Sequence, residues 1–380
     1  VENSMRDTRE EIPGDLVVAA KQPLAVRSAA LIVRGLRDLA RNSNWQIQKV
    51  FTGRAANVAV APGGQVITVG EGGARRAVLH DIEHNGTALT LPAPDGVALR
   101  GGNGATEKRA ALAWSPTSAS VVAAVDGWPN ELYDFDVQGG RIVGQFGRFE
   151  SFPERLTWSN RGSYFASASR GSRAARLRVW KTQAGEMPFR SVATAELGPP
   201  DWIERQTYEA EFGEEGAFRG YGATAFRPDE RWLASVVEFR GEWADDSIAI
   251  VDLPEMKERR TFPAQGHITD LQWTSDGQQI VYCAAGQAYR LDTETMEAET
   301  LPFGAELSAC HPDLPLAVFY SSWLKNSAKG RLFVVDLSQL AVFDEHAADS
   351  VADLRWSADG ERAYAVTLDG LGYIYEPPLL

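Results

Sequence analysis

The 380-residue sequence predicts an all-β protein in which a four-stranded unit is repeated seven times around a ring. Three observations support this prediction. A short alternating strand that ends in a bulky residue and a turn recurs seven times, further apolar strands follow each copy, and the last unit is one strand short while a spare strand precedes the first. Self-similarity at a period of tens of residues is typical of repeat architectures.

Each repeat begins with a strand that ends in an anchor residue, and a turn rich in Pro, Asp, Asn or Gly follows it. The seven anchors are Val60, Trp114, Trp158, Phe226, Trp273, Cys310 and Trp356. Because the four tryptophans recur at equivalent strand positions, we expect them to pack between neighbouring units rather than to bind a ligand.

A second and a third apolar strand follow each anchor, for example "IVYCAA" and "QAYRLD" after Trp273. Period-two alternation between Gly, Asp and Pro clusters indicates half-buried strands. Most units also leave room for a fourth strand, such as "RIVGQF" at 141–146. Seven units of four strands describe a seven-bladed β-propeller spanning residues 45–380.

The last unit ends after its third strand, at about residue 376. A vacant sheet edge would invite aggregation, so another strand has to fill it. The segment "NWQIQKVF" at 44–51 has strand-like alternation and belongs to no complete unit. We therefore predict that a strand within 45–51 pairs with the last blade and closes the ring.

The repeats resemble those of the WD40 family. The likeness rests on "LTWSNRGSYFASASRG", "RLRVWK", "AWSP", "QWTSDG" and "HAADSVADLRWSADGERAYAVTLDGLGYIYE", and it covers roughly residues 45–380. The closing Trp-Asp pair of that family is absent, since Trp180 is followed by Lys181, and its Gly-His pair survives only as Gly266-His267. The resemblance implies a divergent WD40-like propeller whose N-terminal strand latches the ring.

Residues 1–44 lie outside the predicted ring. Apolar residues recur at helical spacing over about 23–41, with arginines on the other side, which predicts an amphipathic helix. We expect this helix to pack on the rim or base of the ring; alternatively, it docks to a partner or to an upstream domain. The first residue is Val1, so the chain is also consistent with a processed product or a part of a longer protein.

Composition narrows the partner classes. The formal net charge is −13 and the pI is about 5.0, so the average field of the protein repels a phosphate backbone and disfavours nucleic acid as a partner. No stretch has the roughly 18 or more uninterrupted apolar residues of a membrane span. The two cysteines, Cys283 and Cys310, sit in apolar runs and fit a reducing compartment, and we expect a cytoplasmic protein.

Catalytic and metal-binding motifs are missing from the sequence. It contains no nucleophile elbow, phosphate-binding loop or zinc-protease motif, and the close pair His80 and His84 falls on a strand end, where ligands four residues apart are too distant. The Asp and Gly of "SADG" and "TSDG" are interpreted as turn residues. The prediction is a non-enzymatic protein with no cofactor, metal or catalytic site.

Four other tryptophans fall in connections that follow a second or a fourth strand, and such connections share one face of a propeller. Large aromatics and arginines on loops of a rigid scaffold are typical of interaction hot spots. The predicted partner-binding residues are Trp128, Trp202, Trp243, Trp323, Arg170, Arg173, Arg176, Arg240, Tyr208 and Phe212.

These residues favour a recognition or scaffold module that binds a protein or peptide, as a subunit or domain of a larger assembly. The alternative is a small-molecule-binding or hydrolytic, lactonase-like propeller with a site at the channel mouth. Its acid, base or metal-ligand candidates are Asp126, Glu131, Glu238, Asp245 and Asp246, together with nearby arginines.

Overall fold

The computed structural model describes residues 45–52, 54–70, 77–82, 89–90, 98–99, 112–126, 130–171, 175–182, 192–197, 218–239, 245–255, 257–322 and 330–377. These residues form β-strands joined by turns, and no helix occurs among them. The predicted helix over 23–41 lies outside the described residues. No described helix is long and apolar enough to cross a membrane.

The strands form seven antiparallel sheets, which are the blades of a propeller. Blade 1 consists of β2 (Ala55–Val60), β3 (Gln65–Gly70), β4 (Ala77–Asp81) and β5 (Leu89–Thr90). Blade 2 consists of β6 (Ala98–Leu99), β7 (Leu112–Trp114), β8 (Ser120–Asp126), β9 (Asn130–Asp136) and β10 (Arg141–Phe149). Blade 3 consists of β11 (Pro153–Trp158), β12 (Tyr164–Ser169), β13 (Leu177–Lys181) and β14 (Val192–Leu197), and blade 4 of β15 (Phe218–Phe226), β16 (Trp232–Phe239), β17 (Ser247–Asp252) and β18 (Lys257–Pro263). Blade 5 is β19 (Ile268–Trp273), β20 (Gln279–Ala284), β21 (Gln287–Asp292) and β22 (Ala298–Thr300); blade 6 is β23 (Leu307–Cys310), β24 (Leu316–Ser321), β25 (Gly330–Asp336) and β26 (Ala341–Ala348); blade 7 is β27 (Val351–Trp356), β28 (Ala363–Thr367), β29 (Leu371–Tyr375) and β1 (Gln46–Lys49).

The predicted ring closure is confirmed. The N-terminal strand β1 pairs antiparallel with β29, with Gln46 opposite Ile374 and Lys49 opposite Leu371. Blade 7 therefore consists of three strands from residues 351–375 and one strand from residues 46–49. The Trp45 ring packs against Tyr375 at a tilt of 41°, with ring centroids 5.0 Å apart, which fixes the start of the closing strand against the blade core.

The seven predicted anchors are also confirmed as repeat boundaries, because each is the last residue of the innermost strand of its blade. Trp114, Trp273 and Trp356 are almost fully buried. Each donates its indole Nε1–H to a carbonyl of the preceding blade: Ala59 at 3.1 Å, Ala225 at 3.0 Å and Ala309 at 3.0 Å. Each acceptor lies one position before the anchor of that preceding blade, so these three tryptophans join neighbouring blades, as their positions predict.

Blade 2 departs from the simple repeat. Its innermost strand is in two pieces, since β6 and β7 both pair with β8 in adjacent registers. Leu99 lies opposite Val125 and Leu112 lies opposite Ala123, and the 12-residue stretch 100–111 between the two pieces is outside the described residues. The sequence predicted the second piece alone, because a two-residue strand carries too little alternation to be recognised.

Candidate interaction surface

The ring has two unlike faces. On one, which we call the turn face, the first and second strands of every blade are joined by only four to six residues. On the other, the loop face, the connections that follow second and fourth strands reach 20 residues, in segment 198–217 between β14 and β15. Loops of variable length on a rigid scaffold are where binding residues concentrate.

The turn face repeats one hydrogen-bond pattern. The Ser357 hydroxyl donates to Asp359 and accepts from the Arg362 amide, while Asp359 also accepts from the Glu361 amide. Thr274 and Asp276 form the same bonds in blade 5. These bonds hold the pKa of Asp359 below its usual value. The "SADG" and "TSDG" phrases are therefore turns, as predicted, and their polar groups are occupied by the backbone.

Neighbouring turns are also tied to each other. Arg227 Nε donates to the Gly277 carbonyl of the next blade at 2.7 Å, and the Arg161 amide donates to Glu230 of the next blade at 2.8 Å. His311 reaches the Gly360 carbonyl of blade 7 at 3.1 Å. The described turns therefore form a cross-linked, stiff surface.

On the loop face, a buried ion-pair cluster joins blades 3 and 4. The Arg170 guanidinium donates to both carboxylate oxygens of Glu238, the Nη2 bond being 2.6 Å, and Nη1 donates to Glu154 at 3.0 Å. Arg170 is 8% exposed and Glu238 is 1% exposed. Because burial makes an unpaired charge costly, each partner requires the other.

The backbone brings the same two blades into contact. Arg170 forms an isolated bridge with Gly220, and the Gly171 amide donates to the Arg219 carbonyl at 3.0 Å. Gly220 has a φ of 150°, and a Cβ there would lie 2.6 Å from the Arg170 Cα. Only glycine allows this close approach. The contact lies where segment 198–217 returns to the ring as β15.

A second cluster joins blades 4 and 5. His267 Nδ1 lies 2.8 Å from Asp246, which is fully buried and also accepts the Ile268 amide at 2.8 Å. The hydrogen bond from His267 to Asp246 raises the pKa of the histidine, partly opposed by burial. Asp245 and Asp246 follow segment 240–244, and His267 directly precedes the first strand of blade 5. This contact therefore anchors the base of a loop-face connection.

The structure describes two of the ten predicted partner-binding residues, Arg170 and Arg176. Arg170 is an inter-blade residue with little surface exposure. Arg176 is partly exposed and pairs with Glu196 at 2.7 Å, and its partner-binding role stays a prediction. The other eight lie outside the described residues: Trp128, Trp202, Trp243, Trp323, Arg173, Arg240, Tyr208 and Phe212. The strands that flank them end on the loop face.

The carboxylates of the alternative, small-molecule hypothesis have structural partners. Glu238 binds Arg170, Asp246 binds His267, and Asp245 accepts the Gly266 amide at 2.7 Å. Glu131 accepts the Tyr133 hydroxyl at 3.2 Å. The Asp126 side chain is outside the described set. Within the described part of the chain, no three side chains of metal-ligand type are grouped.

Glu154 and His267 were not predicted as site residues. Glu154 is 16 residues from Arg170 and Glu238 is 68 residues away, so no local pattern connects them. The Gly266-His267 pair was visible as a family-like motif, but its contact with Asp246 depends on how two blades meet.

Comparisons with known proteins show the fold. No protein-family model matches the chain, and no curated protein matches it. Among solved structures, the chain is similar to a chain of "Kuenenia stuttgartiensis Hydrazine Synthase", with a TM-score of 0.59, 13% identity, and coverage of 87% of this chain and 98% of that one. It is also similar to a chain of "Crystal Structure of Mitotic Checkpoint Complex", with a TM-score of 0.60, 12% identity, and coverage of 87% and 94%. At such identities the likeness establishes a propeller and leaves the activity open.

Proposed function

We propose that the protein is a non-enzymatic recognition module that binds a protein or peptide on its loop face. The observation that carries this proposal is the asymmetry between the faces. On the turn face, the first and second strands are joined by short, cross-linked turns of nearly constant length. On the loop face, the connections after second and fourth strands vary from two to 20 residues and leave from a braced base.

The composition of those connections supports protein recognition. Segment 198–217 contains Trp202, Tyr208 and Phe212, and the connections after β8, β16 and β24 each contain one tryptophan. Tryptophan, tyrosine and arginine are enriched among residues that dominate binding energy. A solved structure of similar fold comes from a crystal of the mitotic checkpoint complex, which supports a role within an assembly.

The test is partner capture by two matched variants. One replaces Trp128, Trp202, Trp243 and Trp323 by Ala; the other replaces Ile47 and Val342, which are the large apolar residues exposed on the outer strands of the described ring, by Ala. The loop-face variant is expected to lose the partners captured by the wild type, and the outer-strand variant to keep them. The proposal is wrong if the pattern is reversed or if both variants capture the same partners as the wild type.

A further inference from the structure

We propose that the central channel holds a site for a small oxyanion, a carboxylate or a phosphate, centred on Arg355 and open toward the turn face. The site is independent of the loop-face proposal, because it lies at the opposite end of the channel. It rests on three observations: a cavity, a single charge in its wall, and polar side chains that have no partner in the described part of the protein.

Two cavities follow one another along the channel formed by the innermost strands. The cavity toward the turn face has a volume of about 230 Å³, and the inner one has about 90 Å³. Four polar side chains line both cavities and so lie at their junction: Thr157, Thr224, Gln272 and Arg355. They come from blades 3, 4, 5 and 7, so the junction is polar on several sides.

Small residues in the two adjacent blades leave space for the Arg355 side chain. It lies one position before the anchor Trp356, and the corresponding residues of the two adjacent blades are Ala309 and Ala59. These alanines leave room beside the long arginine side chain, and they line the outer and the inner cavity respectively. A large side chain at either position would fill this space.

The charges of the two cavities differ. The inner cavity is lined by two arginines, Arg155 and Arg355, and by two carboxylates, Asp270 and Asp353, each of which accepts a hydrogen bond from an adjacent blade. In the outer cavity, Arg355 is the only charged residue in the lining that the structure describes. The charge in the wall of the outer cavity is therefore positive, although the whole chain carries a net charge of −13.

The Arg355 side chain forms no hydrogen bond or ion pair with any residue that the structure describes, and the same holds for the side chains of Thr157 and Gln272. All three are partly buried. A partly buried guanidinium that makes no ion pair keeps its N–H donors available, and a bound anion can accept from them. The guanidinium fork matches two oxygens of a carboxylate or a phosphate, while the Gln272 amide and the Thr157 hydroxyl can donate to the same anion.

The volume restricts the ligand. Sites for drug-sized molecules occupy roughly 300–1,000 Å³, so 230 Å³ suits a compact anion with few carbon atoms. Trp114, Trp158 and Trp356 also line this cavity, and they provide an optical signal for its occupancy.

The test is calorimetric titration of the full chain with inorganic phosphate and with acetate, in buffer of constant ionic strength set with chloride. We expect one anion bound per chain, a change in tryptophan fluorescence on binding, and a dissociation constant at least tenfold weaker in Arg355→Gln. Arg355→Lys keeps the positive charge but lacks the paired N–H donors of the guanidinium, so it is expected to weaken binding less than Arg355→Gln does. The anion with the lower dissociation constant identifies the ligand class as a phosphate or a carboxylate.

Arg362→Gln is the matched control. Arg362 lies outside the channel lining and pairs with Glu376, with an N–O distance of 2.9 Å. Its affinity for either anion is expected to stay within twofold of the wild type. Arg355→Gln removes an uncompensated charge, so it is expected to fold, and a thermal melt in anion-free buffer checks this. Failure of both anions to bind, or equal affinity in wild type and folded Arg355→Gln, would overturn the proposal.

Discussion

At the scale of single residues, the joints between blades are polar as well as apolar. Arg170, buried between Glu238 and Glu154, couples blades 3 and 4. The sequence marked Arg170 as a partner-binding candidate because it precedes a loop rich in arginine. Its burial could not be predicted, because the two carboxylates reach it only after the blades have packed.

Replacing Arg170 by Met is expected to lower the free energy of unfolding by about 3–5 kcal/mol, because Glu238 is then buried without its cation. The double variant with Glu238→Gln should recover part of the loss. The measurement is chemical denaturation. Arg141→Met is the control, since its side chain is 74% exposed beside Asp136, and it should cost less than about 1 kcal/mol. Equal losses in Arg141→Met and Arg170→Met would contradict the assigned role.

His311 gives the stability a dependence on acid pH. Its Nδ1 accepts the amides of Asp313 and Leu314, each at 3.0 Å, so the ring is neutral and Nε2–H donates to Gly360. Burial lowers the pKa of His311 below 6.5, opposed by Asp313 and Asp359. The unfolded chain therefore binds the proton first, and this contribution to stability is lost as the pH falls below about 6.5.

The measurement is the free energy of unfolding of wild type and His311→Gln as a function of pH. The variant should show a shallower loss below about 6.5, where the unfolded histidine becomes protonated. His267→Gln is a useful contrast, since the pKa of His267 is raised in the folded protein, and its stabilising contribution is lost as the pH rises through that raised pKa. Identical acid slopes for wild type and His311→Gln would exclude His311 as a source of the dependence.

At the scale of elements, alternation and turn residues were enough to predict the seven inner strands and the closing strand. Every anchor ends a strand, and β1 occupies the edge that the short last repeat leaves vacant. The two-piece inner strand of blade 2 was not predicted, because β6 has only two residues and 12 others separate it from β7.

Ring closure can be tested by hydrogen exchange on two truncated chains, one starting at residue 45 and one at residue 50. The first retains β1 and should protect the amides of β29 as strongly as those of β28. The second leaves the outer edge of β29 without its partner, so exchange in 371–375 should accelerate and the melting temperature should fall. Equal protection of β29 in the two chains would mean that β1 does not stabilise the blade.

At the scale of the whole molecule, the ring separates two tasks. The turn face carries repeated hydrogen bonds that fix the blades, and the loop face carries connections that differ from blade to blade. The sequence predicted which residues interrupt the repeat, since they stand out against it. The channel around Arg355 was missed, because its wall combines single residues from several blades that are distant in the chain.

The central claim is that partners bind the loop face, and site-specific photo-crosslinking tests it most directly. A photoreactive phenylalanine analogue is placed at position 128 or 243 on loop-face connections, or at 229 or 358, which are exposed on the turn face. Partner cross-links are expected from positions 128 and 243, and none from positions 229 and 358. Cross-links confined to the turn-face positions would contradict it.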